Sequence, residues 1–132
     1  MKHRSILIVL ALIAGIVLSA CGGAGPLAVK NVTLSKTEGG AAVTAFSSTD
    51  RIFCANIELN RIETGLTVKV VWLAVDTTAG QNIEVAQKEF TGLLVNVVNA
   101  TVEMPRDWPI GKYKLEIYLN GSLANTVEFP VN

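Results

Sequence analysis

Histidine is the scarcest chemically useful residue in this 132-residue sequence, with His3 as its only example. His3 lies in an apolar amino-terminal segment, so a domain formed by the rest of the chain contains no histidine. Ser-His-Asp triads, Cys-His dyads and histidine-ligated zinc are therefore excluded from such a domain. Asp and Glu are scattered along the chain, which favours a solvated surface over a catalytic carboxylate pair. The sequence predicts a protein that is not an enzyme and that holds no cofactor or metal.

Positive charge is also scarce. The whole chain carries 11 basic and 11 acidic residues. Residues 1–20 hold Lys2 and Arg4 and no acid, so residues 21–132 carry 9 bases and 11 acids, a net charge of −2. Because the bases form no block, the sequence lacks the electrostatic footprint of nucleic-acid binding. Attraction to anionic lipid has no support either, so any membrane attachment requires a lipid anchor.

The amino terminus has the three-part pattern of a secretory signal. Lys2 and Arg4 precede an almost unbroken apolar run from residue 6 to residue 18, and small residues follow up to Cys21. The ending, Leu18-Ser19-Ala20-Cys21, resembles the lipobox of bacterial lipoproteins. The resemblance implies that residues 1–20 are a cleaved helical signal peptide and that Cys21 carries a diacylglycerol. A further fatty acid of the palmitate kind is usually attached to the new amino terminus in that family.

Two other interpretations of this segment are possible. Thirteen apolar positions form a helix of roughly 20 Å, whereas the hydrocarbon core of a bilayer is roughly 30 Å thick, so a permanent transmembrane helix is disfavoured. A cleaved signal without lipid would accept almost any residue after the cut, and the cysteine is more specific than that. The expected location is a bacterial cell membrane or outer membrane, with the domain outside the cytoplasm. In lipoproteins of two-membrane bacteria an aspartate after the modified cysteine retains the protein in the inner membrane. Gly22 stands at that position here, so the resemblance implies the outer membrane if the cell has one, or the outer face of a single membrane if it does not.

The second cysteine, Cys54, has no partner for an intrachain disulfide once Cys21 carries lipid. A lone cysteine in a strand is most often a small buried apolar side chain. A reactive thiol or an intermolecular bridge remains an alternative. The domain is therefore expected to be stable by packing alone.

The rest of the chain is typical of an all-β domain. Residues 21–27 predict a short, flexible tether after the lipidated cysteine, and residues 28–132 predict one domain. Short runs rich in Val, Ile, Thr and aromatics alternate with turn residues, and no window has helical periodicity. The predicted strands are residues 28–35, 51–59, 67–76, 82–90, 112–119 and 122–131, with shorter or bent pieces at 41–46 and 93–104.

The carboxy-terminal third predicts a hairpin. Residues 112–119 alternate, with Tyr113 among the inward-facing positions, and Asn120-Gly121 is the preferred pair for a type I′ turn, which needs two positive φ angles. Together the runs predict an antiparallel two-sheet sandwich of seven or eight strands.

Two features resemble immunoglobulin-like domains. Trp72, in the middle of a strand, resembles their core tryptophan. The segment Trp108-Pro109-Ile110-Gly111-Lys112-Tyr113 resembles the Pro-x-Gly-x-Tyr approach to a late strand in fibronectin type III and related bacterial domains. The resemblance implies that the Tyr113 hydroxyl bonds back to nearby backbone. It implies an architecture and not an activity, because such sandwiches serve many functions.

Three residues are candidates for ligand or partner contacts: Trp108, Asp107 and Tyr118. Trp108 lies in a corner beside Asp107, where it either packs against the end of the sandwich or stacks on a sugar ring. Tyr118 is expected on an exposed sheet face. Near strand ends, aspartates suggest turn caps more than a calcium site. The predicted function is a lipid-anchored module that binds or helps assemble another envelope protein. The alternative is a cell-surface carbohydrate-binding module.

Overall fold

The computed structural model describes residues 25–132, so the predicted signal peptide and the predicted lipidation at Cys21 lie outside the described residues. Seven strands follow one another: β1 (Val29–Ser35), β2 (Ile52–Leu59), β3 (Val68–Thr77), β4 (Gly80–Phe90), β5 (Val97–Glu103), β6 (Gly111–Leu119) and β7 (Ser122–Val131). Among residues 25–132 no helix has the length and apolar character needed to cross a membrane.

The strands form a sandwich of two antiparallel sheets. Sheet A has the order β1-β2-β5 and sheet B the order β4-β3-β6-β7. Alternate residues of β2, β3, β5 and β6 are buried, which is why these runs form strands with one face toward a shared core. Trp72 lies in that core, as predicted. The fourth strand belongs to sheet B, whereas in constant-type immunoglobulin domains it lies beside the first, second and fifth.

Two of the predicted runs are only partly strand. Residues 41–46 cross from one sheet to the other and make isolated bridges, between Ser35 and Ala42 and between Phe46 and Val131. In the run 93–104, β5 begins only at Val97. Asn96 is turned toward β2, where its carbonyl accepts from the Leu59 N–H at 2.8 Å and its side-chain amide donates to the Leu59 carbonyl at 2.8 Å.

The sandwich has two distinguishable ends. At the entry end the chain enters the domain, and the loops 60–67 and 91–96 and the turn Asn120–Gly121 lie there. The opposite end carries the loops 104–110 and 47–51. Asn60 accepts from the Ala28 N–H and donates to the Pro26 carbonyl, each at 2.8 Å, and Arg61 donates to the Gly25 carbonyl at 3.3 Å. These bonds hold residues 25–28 against the domain, so part of the predicted tether is fixed.

The carboxy-terminal hairpin and the tyrosine corner are as predicted. Asn120 and Gly121 have φ angles of 50° and 85°, the two positive values that a type I′ turn requires. The Tyr113 hydroxyl donates to the Pro109 carbonyl at 2.5 Å. Gly111 has a φ of 147°, and a Cβ there would overlap the Asp76 carbonyl, which accounts for the glycine of the motif.

Tyr113→Phe should lower the free energy of unfolding by about 1–2 kcal/mol at pH 8, because the Pro109 carbonyl loses its donor. Burial raises the pKa of Tyr113 to about 12. Between pH 10 and 12 the unfolded chain releases this proton before the folded chain does, so stability falls as the pH rises, by up to about 2–3 kcal/mol. The phenylalanine variant lacks this loss. Urea titrations at pH 8 and pH 11.5 should therefore show its deficit shrinking, and a constant deficit would contradict the assignment.

Candidate functional site

Trp108 is part of the core. Its side chain is 2% exposed. The indole stacks on Phe53 with ring centroids 4.0 Å apart and contacts Tyr113 edge-on at 6.3 Å. The Trp108 N–H of the backbone donates to the Ser48 carbonyl at 2.8 Å, which fixes the corner. A buried ring of this kind presents no face to a sugar, so the carbohydrate-binding alternative loses the observation on which it was based.

The indole Nε1 of Trp108 is buried and has no hydrogen-bond partner. Buried polar atoms normally have one. The sequence predicted that Trp108 packs or binds a ligand, and the structure shows a residue that packs at the cost of one unpaired donor.

Asp107 and Tyr118 lie at opposite ends of the sandwich. Asp107 lies at the end opposite the chain entry. Its side chain is exposed, and its Oδ1 accepts from Arg51 Nη2 at 3.0 Å. Tyr118 is half-buried on the outer face of sheet B, two residues before the entry-end turn, and the Lys69 Nζ lies 4.5 Å from its ring centroid. Tyr118 therefore lies on the sheet surface and is less exposed than expected, because the Lys69 side chain lies over its ring. These two residues and Trp108 do not form one site.

Cys54 is buried, 4% exposed, although it alternates with the outward-facing Asn56 and Glu58. In sheet A, Cys54 lies opposite Ser35 of β1 and opposite Thr101 of β5. Burial raises the pKa of the Cys54 thiol, and the Glu38 carboxylate raises it further, while a hydrogen bond with Ser35 opposes both. Since thiolate is the reactive form, these surroundings fit the packing interpretation of Cys54 better than the reactive one.

One concavity of the described residues has a volume of about 440 Å³ and lies on sheet B. Its lining comprises Val75, Lys112, Tyr113, Glu128, Phe129 and Pro130. Glu128 is the one carboxylate in this lining, so no acid pair faces across it. Within residues 25–132, no three His, Cys, Asp or Glu side chains converge as a metal site requires.

The strand edges offer a different kind of site. β5 is an edge of sheet A and pairs in continuous register with β2 over all seven of its residues. The bonds of Asn96 to Leu59, and of the Met104 N–H to the Arg51 carbonyl, place the backbone groups of even-numbered residues toward β2. The backbone groups of residues 97, 99, 101 and 103 consequently point away from the sheet.

The other three edges are each blocked. On β1 the register shifts between Val29 and Asn31, and the Val43 N–H donates to the Leu34 carbonyl. On β4 the register shifts opposite Trp72 and Leu73, and the strand carries Glu84, Lys88 and Glu89. On β7 the register shifts between the partners of Ile117 and Tyr118, and Phe46 covers the carboxy-terminal end through bonds to Pro130 and to Asn132, just after the strand. Bulges, charges, proline and covering segments are the usual devices that prevent strand addition. β5 has no lysine, proline or bulge.

Comparisons with known proteins identify a fold and no family. No protein-family model matches the sequence, and no curated protein does. The chain resembles the crystal structure of an immunoglobulin-like protein from Pseudomonas aeruginosa, with a TM-score of 0.55 and 18% identity, covering 84% of this chain and 100% of that chain. It also resembles a DNA-bound alkylpurine DNA glycosylase from Pseudomonas fluorescens, with a TM-score of 0.46 and 14% identity, covering 89% of this chain and 33% of that chain.

At a TM-score of 0.46 the likeness to the glycosylase shows neither fold nor function. The first likeness, at 18% identity, confirms the immunoglobulin-like sandwich and nothing further.

Proposed function

We propose that this protein is a non-catalytic lipoprotein of the bacterial envelope, anchored through a lipid on Cys21, that binds an extended segment of another envelope protein along β5. The anchoring is supported by the sequence Leu18-Ser19-Ala20-Cys21 after a signal-like segment. The binding is supported by one observation: β5 is the edge strand of the described domain that has no bulge, no proline and no covering segment, and its single charged residue, Glu103, lies at its end.

The chemistry of such binding is β-augmentation, in which a partner strand pairs with an exposed edge through backbone hydrogen bonds. Residues 97, 99, 101 and 103 present two groups each, an N–H and a carbonyl, to an incoming strand. The sheet would then continue as β1-β2-β5-partner. Backbone N–H and carbonyl groups are the same in every polypeptide. Backbone pairing alone therefore supplies affinity but does not select the partner.

Specificity has to come from side chains on the two faces of β5. On the outer face Asn99, Thr101 and Glu103 are exposed, and Asn99 is held in place because its Oδ1 accepts from Asn56 Nδ2 at 2.8 Å. These groups favour a partner strand whose outward side chains are polar. Because Glu103 is the one charged residue of β5, the partner segment is expected to be extended and either uncharged or weakly basic.

The test uses a photoreactive amino acid in place of Glu103 in the full-length protein, expressed in its own cells. Irradiation is expected to give a discrete crosslinked species in membranes. Thr101→Pro removes an outward N–H while leaving the bonds to β2 intact, since residue 101 points away from β2. It should lower the crosslink yield about tenfold. Thr101→Val, which keeps the N–H, is the matched control and should leave the yield unchanged.

Equal yields from Thr101→Pro and Thr101→Val would show that β5 does not pair with a partner strand. An absence of crosslinks from the protein that carries the photoreactive residue at position 103 and no other change would contradict the binding function as a whole. Circular dichroism of each variant establishes that the sandwich is retained.

A further inference from the structure

The exposed apolar side chains of the domain are concentrated at its entry end. Leu94 is 91% exposed and Val95 is 62% exposed, both in the loop 91–96. Ile62, in the neighbouring loop 60–67, is also exposed, and Leu123 follows the entry-end turn. Toward the opposite end the exposed large apolar side chains are Ile110 and Ile83, which are not adjacent in sequence.

The tip formed by Leu94 and Val95 is held outward by its two flanks. Leu93 packs against the core on one side. On the other side Asn96 makes its two bonds of 2.8 Å to Leu59. Two adjacent apolar side chains that are largely exposed, on a loop with both flanks anchored, indicate a surface that is covered in use.

The position of the tip relative to the amino terminus identifies what could cover it. The Asn60 N–H donates to the Ala28 carbonyl at 3.0 Å, and Leu59 bonds to Asn96, so the chain entry and the loop 91–96 flank the same end of β2. Adjacent strands are about 4.8 Å apart, which places β5 about 10 Å from β1. From Cys21 to Gly25 the chain spans at most about 14 Å, because each residue reaches no more than about 3.6 Å.

We infer that the Leu94–Val95 tip inserts into the membrane surface next to the lipid on Cys21 and so holds the sandwich upright. This inference rests on the proposed lipid anchor. The occupant is a phospholipid bilayer, because a lipid on Cys21 would keep the bilayer within reach of the tip and at a high effective concentration. Arg61 is paired with Glu63 at 2.8 Å, so these two charges of the loop 60–67 cancel.

Insertion would give the domain a fixed orientation. Apolar side chains on a membrane surface bury about 5–10 Å into the boundary between headgroups and acyl chains. With the entry end on the membrane, the strands rise from it, and the edge of β5 faces sideways toward neighbouring envelope proteins. A domain held only by the lipid on Cys21, without the contact of the Leu94–Val95 tip, would present the edge of β5 in every orientation.

The test places a tryptophan at the tip in the full-length protein, extracted from its own membranes and returned to vesicles of phospholipid brominated in the upper acyl chain. Leu94→Trp is the reporter and Ile110→Trp, at the opposite end, is the matched control. Trp72 and Trp108 are buried in the core, so their emission is subtracted as background. Bromine should quench the tryptophan at position 94 at least about twofold and the one at position 110 negligibly.

Mass spectrometry of the same samples separates the two ways in which the inference can fail. If Cys21 carries lipid and the tryptophans at positions 94 and 110 are quenched equally, the tip does not insert, although the anchor stands. If Cys21 carries no lipid, both the anchor and the insertion are overturned. Val95→Trp, read in the same way, guards against a local effect of the substitution at Leu94.

Discussion

Phe53→Ala is expected to lower the free energy of unfolding by about 4–5 kcal/mol, near the upper limit for one substitution. Phe53 is 1% exposed and lies between two aromatic rings, with Phe46 at 4.1 Å and Trp108 at 4.0 Å between centroids. Its edge contacts with Tyr113 and Phe129 are at 6.2 and 5.9 Å. Truncation opens a cavity at the centre of this cluster and removes several aromatic pairs at once.

A domain of this size has a total stability of only about 5–15 kcal/mol, so the substitution should remove between about a third and nearly all of it. Urea titration followed by tryptophan fluorescence measures the loss, on full-length protein in mild detergent. Phe90→Ala is the control, because Phe90 is half-buried at the end of the edge strand β4 and should cost about 1 kcal/mol. Similar losses at Phe53 and Phe90 would show that the aromatic cluster does not hold the two sheets together.

The second large effect concerns the thiol of Cys21. Cells grown with a labelled fatty acid should incorporate the label into the wild-type protein, and Cys21→Ser should reduce incorporation to background. The reason is chemical: a thioether to diacylglycerol requires the cysteine sulfur, and serine offers no thiol. A single acyl chain binds membranes only marginally, with an association constant of about 10⁴ M⁻¹, so stable anchoring needs two or more chains.

Cys54→Ser is the matched control for this experiment. Cys54 is buried between β1 and β5 and should play no part in lipidation, so its serine variant should keep the full label. Label retained in Cys21→Ser, or lost in Cys54→Ser, would show that the acyl chain is not attached through Cys21. The basis for the proposed anchoring would then be removed.

Local patterns in the sequence were sufficient to predict most strands. The alternation from Lys112 to Leu119 and the Asn120-Gly121 pair define a hairpin within about twenty residues, because a type I′ turn and a period of two are local properties. The motif ending at Tyr113 predicted a hydrogen bond that spans only four residues. In each case the contact and the signal for it lie close together in the chain.

The candidate site was less accessible to sequence reasoning, because it depends on contacts between distant segments. The burial of Trp108 requires Phe53, which lies 55 positions earlier in the chain. Nothing in the run 97–103 states that β5 is an edge, and the contrast with the blocked edges of β1, β4 and β7 exists only once the sheets are assembled. The exposure of Leu94 could not be predicted for the same reason. An apolar pair is typical of a strand, and only the bonds between Asn96 and the distant Leu59 show that Leu94 lies in a loop before β5.

The measurement that tests the account most directly is mass spectrometry of the amino-terminal peptide of the native protein, extracted from its own membranes. The account predicts a peptide that begins at Cys21 and carries the mass of a diacylglycerol, with a further fatty acid on the amino group. A peptide with an unmodified Cys21, or a mature chain that still contains residues 1–20, would contradict it.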